Sequence, residues 1–416
     1  MVSTEAAVVI DSFVPSTVPA SVAAAAAAVA VVVEVEAIKT TESMLTNLNQ
    51  QSILDFDKGD PTMYEAYWKS IGEDFKITIS ASEALSYFAN PKSFCWFMLP
   101  KLEQEIRNLH NVVGNAVVEG RHIVVGNGSS QLIQAALYAL AEPLDPSSPI
   151  SVMSAAPFYS CYPQIAHYMR SGLFKWGGDA HAYDRDDQPY IEMVNCPNNP
   201  DGELRGPVVN KANGMLVHDL AYYWPQYTAI TKPVDHNIML FTMSKCTGHA
   251  GSRIGWAIVK DSHVAKQMVK FLEISTIGVS KEAQLRAISI LEMISTNSCS
   301  TNFFEFGQFV MAGRWKTLRE ALEGTDILQV PNFPPRHCNF KRNYIECNPA
   351  YAWMKAQEGI NLEEVMKEEN IRVRGGGTFG CPSNYARLSI LGRDNDFDQF
   401  LKKLPSIVKR LAHSKF

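Results

Sequence analysis

Between about residues 121 and 275, short apolar runs alternate with stretches of helical periodicity, and several of these runs end in clusters of glycine, hydroxyl or amide residues. Strands that alternate with helices argue for βαβ units, and so for a mostly parallel sheet flanked by helices. In open sheets of that kind ligands collect at the carboxyl ends of the strands, so the polar clusters are where chemistry belongs. A chain of 416 residues, 46% of them apolar, is long enough for a large α/β domain and a smaller second one.

Four strand ends stand out. Residues 123–125 lead into Gly126-Asn127-Gly128-Ser129-Ser130-Gln131 and a helical run to Leu140. Glycines and hydroxyls at a helix entry offer backbone N–H groups and the positive helix end to a phosphate, although Ser129 read alone is equally a helix cap. Residues 191–194 lead into Asn195-Cys196-Pro197-Asn198-Asn199-Pro200-Asp201-Gly202, which by itself reads as a strand-to-loop exit. Met215-Leu216-Val217-His218-Asp219-Leu220-Ala221-Tyr222-Tyr223 ends an apolar strand in a carboxylate, which must find a cation or a hydrogen-bond donor if it is buried. Residues 238–243 lead into Ser244-Lys245-Cys246-Thr247-Gly248 and on to Arg253. An amine in such a loop can attack an aldehyde cofactor if a dry wall or a nearby cation such as Arg253 keeps it part-deprotonated. Alone, a Ser-Lys pair in a glycine-containing loop is an ordinary turn.

Taken in order, these blocks resemble the fold-type I pyridoxal-phosphate enzymes. Longer stretches narrow the likeness: Gly59-Asp60-Pro61-Thr62-Met63-Tyr64, Ala156-Pro157-Phe158-Tyr159-Ser160, His218-Asp219-Leu220-Ala221-Tyr222-Tyr223-Trp224-Pro225 and Thr247-Gly248-His249-Ala250-Gly251-Ser252-Arg253 resemble the plant tryptophan aminotransferase and alliinase group. The resemblance spans roughly residues 55–404. It implies that Lys245 bonds pyridoxal 5′-phosphate and moves the proton between Cα and the cofactor. It implies that Asp219 keeps the pyridine nitrogen protonated, and that Asn199 and Tyr222 hydrogen-bond the phenolic oxygen. Tyr159, or its neighbour Phe158, would stack on the ring. Ser129, Ser130, Thr242 and Arg253 would form the phosphate cup. Tyr64 would reach the phosphate of the other subunit in a homodimer, and Arg387, in Tyr385-Ala386-Arg387-Leu388-Ser389, would grip the substrate α-carboxylate. Read alone, Arg387 is equally a surface charge, and Tyr64 and Tyr159 are plain core aromatics.

The implied reaction is transamination of L-tryptophan with pyruvate or 2-oxoglutarate to give indole-3-pyruvate, feeding auxin synthesis. Two alternatives stay open. The same lysine serves an alliinase-type C–S lyase acting on alkyl cysteine sulfoxides, and a catalytically silent protein could keep the fold without turnover. Alliinases resemble secreted or vacuolar glycoproteins with a cysteine-rich module before the catalytic part, whereas the first cysteine here is Cys95.

Bulk properties point to a soluble cytoplasmic enzyme. A net charge of −5 gives no electrostatic case for nucleic acid. Eight cysteines fall without CxxC or Cys/His spacing, so neither a metal site nor a disulfide framework is expected, and Cys246 reads as a space-filler. The Ala/Val run at residues 22–33 is shorter than the ~20 residues of a membrane crossing. Residues 1–50 are expected to be a low-complexity tail, 51–120 an arm with helices, 121–323 the cofactor-binding domain and 324–416 a small α+β domain.

Overall fold

The computed structural model describes residues 53–72, 74–141 and 148–413. The low-complexity tail expected over residues 1–50 lies outside the described residues. From Leu54 onward the chain forms one compact unit.

It opens with strand β1 (Leu54–Asp55) and helices α1 (Glu65–Ser70) and α2 (Pro100–Val113). A seven-stranded sheet follows, built from β2 (His122–Gly126), β3 (Ile150–Ser154), β4 (Phe174–Asp179), β5 (Tyr190–Asn195), β6 (Gly214–Asp219), β7 (Ile238–Thr242) and β8 (Gly255–Val259). Its order is β2-β8-β7-β6-β5-β3-β4. Only β8 runs antiparallel to its neighbours β2 and β7; the other pairings are parallel. Residues of β5, β7 and β8 are buried throughout, the pattern of strands covered on both faces. Helices α3 (Ser129–Ala141), α4 (Cys161–Met169), the single turn α5 (Met243–Cys246), α6 (Ser262–Thr276), α7 (Lys281–Ser295) and α8 (Asn297–Ala321) accompany it.

The C-terminal part is smaller and antiparallel. Strands β9 (Leu328–Gln329), β10 (Arg336–Cys338), β11 (Asn343–Ile345) and β12 (Tyr351–Ala356) are followed by helix α9 (Leu362–Glu368). Then come β13 (Ile371–Arg372), β14 (Arg374–Gly375), β15 (Tyr385–Ser389) and helix α10 (Asp394–His413). β14-β15-β12-β9 make a four-stranded sheet, while β13 pairs in parallel with β1.

Two elements differ from the pattern in the sequence. Residues 371–374 read as one strand, yet Ile371 and Arg372 pair with β1 while Arg374 and Gly375 pair with β15. A helix expected over residues 396–404 runs on past Pro405 to His413. Phe397, Phe400, Leu404, Ile407 and Leu411 are buried at spacings of three and four, and this apolar stripe holds the helix together while Pro405 faces solvent.

A buried polar chain locks α2 to the sheet. His110, fully enclosed, meets Asn115 Oδ1 at 2.7 Å through Nδ1 and accepts from Trp256 Nε1 at 2.8 Å through Nε2; Asn115 in turn donates to the Tyr223 carbonyl. Burial pushes the His110 imidazole down to about 4, so it stays neutral, as its role as acceptor from Trp256 requires.

The antiparallel strand also shapes the first polar loop. A Cβ on Gly255 would stand 2.8 Å from the carbonyl carbon of Gly128, 2.8 Å from the Ser129 nitrogen and 2.9 Å from the Phe241 oxygen, all backbone atoms. Backbone cannot swing aside as a side-chain tip can, so Gly255→Ala should destabilise the protein by about 1–3 kcal/mol. Urea unfolding of the two proteins measures it; equal midpoints would mean that the loop yields freely.

Candidate active site

At the carboxyl ends of β2, β5, β6 and β7 the turns converge on one cavity. Its lining includes Ser129, Ser130, Tyr159, Asn199, Asp219, Tyr222, Thr242, Lys245 and Arg253, residues that lie up to 124 positions apart in the chain. Asn195, Ala221, Ser244 and Ala250 complete it.

One end is built for an anion. Ser129 and Ser130 open α3, where the free N–H groups and helix dipole favour negative charge. Gly128 holds φ +79°, and a Cβ there would sit 2.5 Å from Arg253 Nη2, so the glycine lets the guanidinium lie against the loop. Arg253 is itself left-handed at φ 52° and donates to the Ala250 carbonyl at 2.9 Å. Thr242 caps α5, its hydroxyl accepting from the Ser244 N–H at 3.2 Å and donating to Ser244 Oγ at 3.1 Å. Ser244 therefore supplies a further hydroxyl to this end.

The other end carries a sealed acid. Asp219 is 3% exposed and accepts from Tyr162 Oη at 2.9 Å and from the Ala221 N–H at 3.2 Å. Burial raises its carboxyl to about 6, and those two donors pull the other way without restoring the ordinary value. Both donors are neutral, so the site still favours a ligand that brings a cationic N–H to this carboxylate. Asn195 braces the turn by donating to the Asp219 carbonyl at 2.9 Å and accepting from the Asn199 N–H at 2.6 Å.

Lys245 rises from α5 between the two ends, its Nζ donating to the Gly59 carbonyl and lying 5.9 Å from the Tyr222 ring centroid. Tyr159 lines the cavity, whereas Phe158 packs edge-on against Trp176 and against Gly380. Arg387, 2% exposed, donates to Asn199 Oδ1 at 2.9 Å and to the Asp57 carbonyl. Its guanidinium lies 4.2 Å from the Tyr351 ring centroid and 5.3 Å from that of Phe379. It is thus no surface charge, and its Nε has no partner.

Tyr64 is placed elsewhere. It is 1% exposed, stacks on Phe303 at 5.2 Å and abuts Gly248 and Gly307, outside the cavity lining. In this packing its own chain encloses it. Three residues that sequence reasoning missed join the site instead: Tyr162 beneath Asp219, Tyr351 beside Tyr222, and Arg374, which bonds Asp57 at 2.6 Å and Ser160 Oγ at 2.9 Å. Aromatic and arginine residues in apolar strands or at helix starts leave no spacing signal that would have singled them out.

An anion cup, a lysine, an aromatic wall and a buried acid at the far end match a flat, phosphorylated aldehyde with a basic ring nitrogen. The fold and site define an enzyme of the fold-type I aminotransferase class, whose members typically use pyridoxal phosphate. The aspartate aminotransferase of Rhizobium meliloti shares the fold at a TM-score of 0.63 and 16% identity, over 89% of this chain and 95% of that one. Residues 54–408 match the family described as allinase, and the chain belongs to that family. Tryptophan aminotransferase-related protein 2 of Arabidopsis thaliana is 50% identical over 360 residues, covering 85% of this chain and 81% of that protein. Alliin lyase 1 of Allium sativum is 35% identical over 368 residues, covering 85% and 75%.

The acid gives a prediction for the cofactor-free protein. A carboxyl raised from 3.8 to about 6 holds a proton in the fold that the unfolded chain releases. Its contribution to stability is present below about pH 4 and is lost as pH rises through about 6. Asp219→Asn should therefore stabilise the cofactor-free protein at pH 8 by up to about 3 kcal/mol and change little at pH 4. Denaturant unfolding at both pH values checks this; no gain at pH 8 would mean that the buried charge is already satisfied.

Proposed function

We propose that this protein is an L-tryptophan aminotransferase that holds pyridoxal phosphate on Lys245 and passes the amino group to pyruvate or 2-oxoglutarate. Its product would be indole-3-pyruvate, an auxin precursor. The observation that carries the reading is the enclosure of Lys245, Asp219 and the anion cup in one cavity. The 50% identity to a tryptophan aminotransferase-related protein, against 35% to an alliin lyase, supports transamination over sulfoxide cleavage.

When bound, the cofactor supplies an electron sink for the charge left as Cα loses a proton. The chain's own residues do the rest. Ser129, Ser130, Thr242, Ser244 and Arg253 hold the phosphate, and Asp219 keeps a proton on the ring nitrogen. Asn199 and Tyr222 would bond the phenolic oxygen and Tyr159 would cover the ring, a reading supported by their shared place in the cavity wall. Arg387 would bind the α-carboxylate, a reading supported by its burial and by the bonds to Asn199 and the Asp57 carbonyl that fix its guanidinium. Lys245 removes the Cα proton and returns it one position away, which a single flexible amine can do from one side.

We extend the reading to a homodimer working in the cytoplasm. Leu85, Tyr87 and Ile277 stand 84%, 58% and 58% exposed around a groove of mixed polar and apolar lining, and association would cover these three side chains. The groove adjoins the anion cup, because Thr276 on its rim meets Asn127 at 3.3 Å. Light scattering should give twice the monomer mass, and Leu85→Asp together with Ile277→Asp should lower it; an unshifted monomer in the parent protein rejects the dimer.

The decisive assay mixes the protein with pyridoxal phosphate, L-tryptophan and pyruvate, beside a parallel reaction with an alkyl cysteine sulfoxide. Indole-3-pyruvate with alanine is expected. Pyruvate and ammonia released from the sulfoxide alone would make it a lyase, and no product from either would mark a silent member. Lys245→Ala should lose both turnover and the borohydride-reducible link to the cofactor.

A further inference from the structure

Two arginines oppose each other in the small sheet. Strands β14 and β15 are antiparallel, and Arg374 stands directly across from Arg387. Side chains opposed in this way leave the same face of a sheet, and like charges so placed destabilise it unless an anion joins them. Asp57 is that anion. Its carboxylate accepts from Arg374 Nε at 2.6 Å, and its backbone carbonyl accepts from Arg387 Nη2. Arg374 also donates to Ser160 Oγ at 2.9 Å, one residue beyond the cavity-lining Tyr159, while Arg387 donates to the cavity-lining Asn199. The place of Asp57 is set by its neighbour: the Phe56 N–H donates to the Arg372 carbonyl at 2.8 Å, and the Phe56 carbonyl accepts from the Ser389 N–H at 3.0 Å.

The two guanidiniums are therefore in different electrical states. Arg374 is matched by a full carboxylate. Arg387, 2% exposed, bonds only neutral oxygens among the described residues, an amide and a peptide carbonyl, and its Nε bonds nothing there. Arg372, the next cation along this edge, is paired with Asp55 at 3.0 Å. The site thus keeps one buried cation in want of an anion, enough for one carboxylate. A second carboxylate on the same ligand would find the neighbouring guanidinium already bonded, and bonded by an anion that repels it. Discrimination then has an attractive part at Arg387 and a repulsive part at Asp57.

We propose that Asp57 is a specificity-determining residue: by occupying Arg374 it restricts the site to amino acids and 2-oxo acids that carry a single carboxylate, and so selects pyruvate over 2-oxoglutarate as acceptor. Tryptophan and pyruvate each bring one carboxylate, which goes to Arg387. Glutamate and 2-oxoglutarate bring two. Their second carboxylate must either displace Asp57 from Arg374, which strands a partly buried anion, or stand beside it as a like charge. Asp57→Asn keeps the shape and the backbone carbonyl that meets Arg387, and removes only the charge. Arg374 is then left without a counter-ion and becomes a second grip.

This rests on the reading of Arg387 as the carboxylate grip, and unreactive acids separate the two. Protein loaded with pyridoxal phosphate is titrated in a calorimeter with propionate, which has one carboxylate, and with glutarate, which has two. The parent is expected to bind propionate about tenfold or more tightly than glutarate. Asp57→Asn should bring glutarate to parity or beyond, and adding Arg374→Gln should abolish that gain. A parent that binds glutarate as tightly as propionate overturns the role of Asp57, even if no variant folds. So does a folded Asp57→Asn without the gain, or a gain that survives in the double variant. Binding of neither acid to the parent overturns the reading of Arg387 instead, and the proposal with it. Turnover of L-tryptophan gives a second readout. The ratio of kcat/KM for pyruvate to that for 2-oxoglutarate should fall by about tenfold or more in Asp57→Asn; an unchanged ratio rejects the proposal.

Discussion

One buried charge organises the centre of this molecule. Asp219 ends the central strand β6, sealed from water, with a phenol and one backbone N–H as its donors. A carboxylate in that position raises the energy of the empty protein and lowers that of any complex that brings a cationic N–H to it. The neighbouring turns serve the same end. Asn195 stiffens the strand exit, Tyr162 orients the acid from α4, and the anion cup lies opposite, so a ligand carrying a basic ring and a phosphate is held by its two ends. Affinity is concentrated at the poles of the cavity, and the lysine between them is left for chemistry.

Much of this was legible in the chain. Lys245, Asp219, Asn199, Arg253 and the Ser129–Ser130 pair sit in turns after apolar strands, and parallel topology brings such turns to one edge whatever their distance in sequence. What stayed hidden depends on contacts across the chain. The reversed direction of β8 has no local signature, because an apolar run reads alike in either direction. Residues 371–374 serve two sheets, which no periodicity reveals. Tyr64 follows a glycine- and proline-marked turn, and in this chain it stacks on the buried Phe303, which Tyr67 and Trp68 also meet. Tyr162 and Tyr351 carry no spacing signal, and their hydroxyls meet Asp219 and Tyr222.

The same apparatus suits both transamination and loss of a β leaving group, since each begins with removal of the Cα proton. Selection between them belongs to the substrate side of the cavity, where Arg387 is held between Asn199 and the Asp57 carbonyl and stacked between Tyr351 and Phe379. In the proposed reading, a guanidinium held by these contacts has few rotamers to lose when a carboxylate arrives.

The pairing of β1 with β13 joins residues 54–55 to residues 371–372, and Asp57 touches both Arg374 and Arg387. On a ribosome these partners emerge far apart in time. The turns that hold Lys245, Asp219 and the anion cup are all made once residue 253 is out, whereas Arg387, the proposed carboxylate grip, follows on the order of ten seconds later at ordinary rates of synthesis. In the proposed reading a nascent chain thus gathers its cofactor side before its substrate side, and residues 54–57 and 371–387 meet only after both have been made.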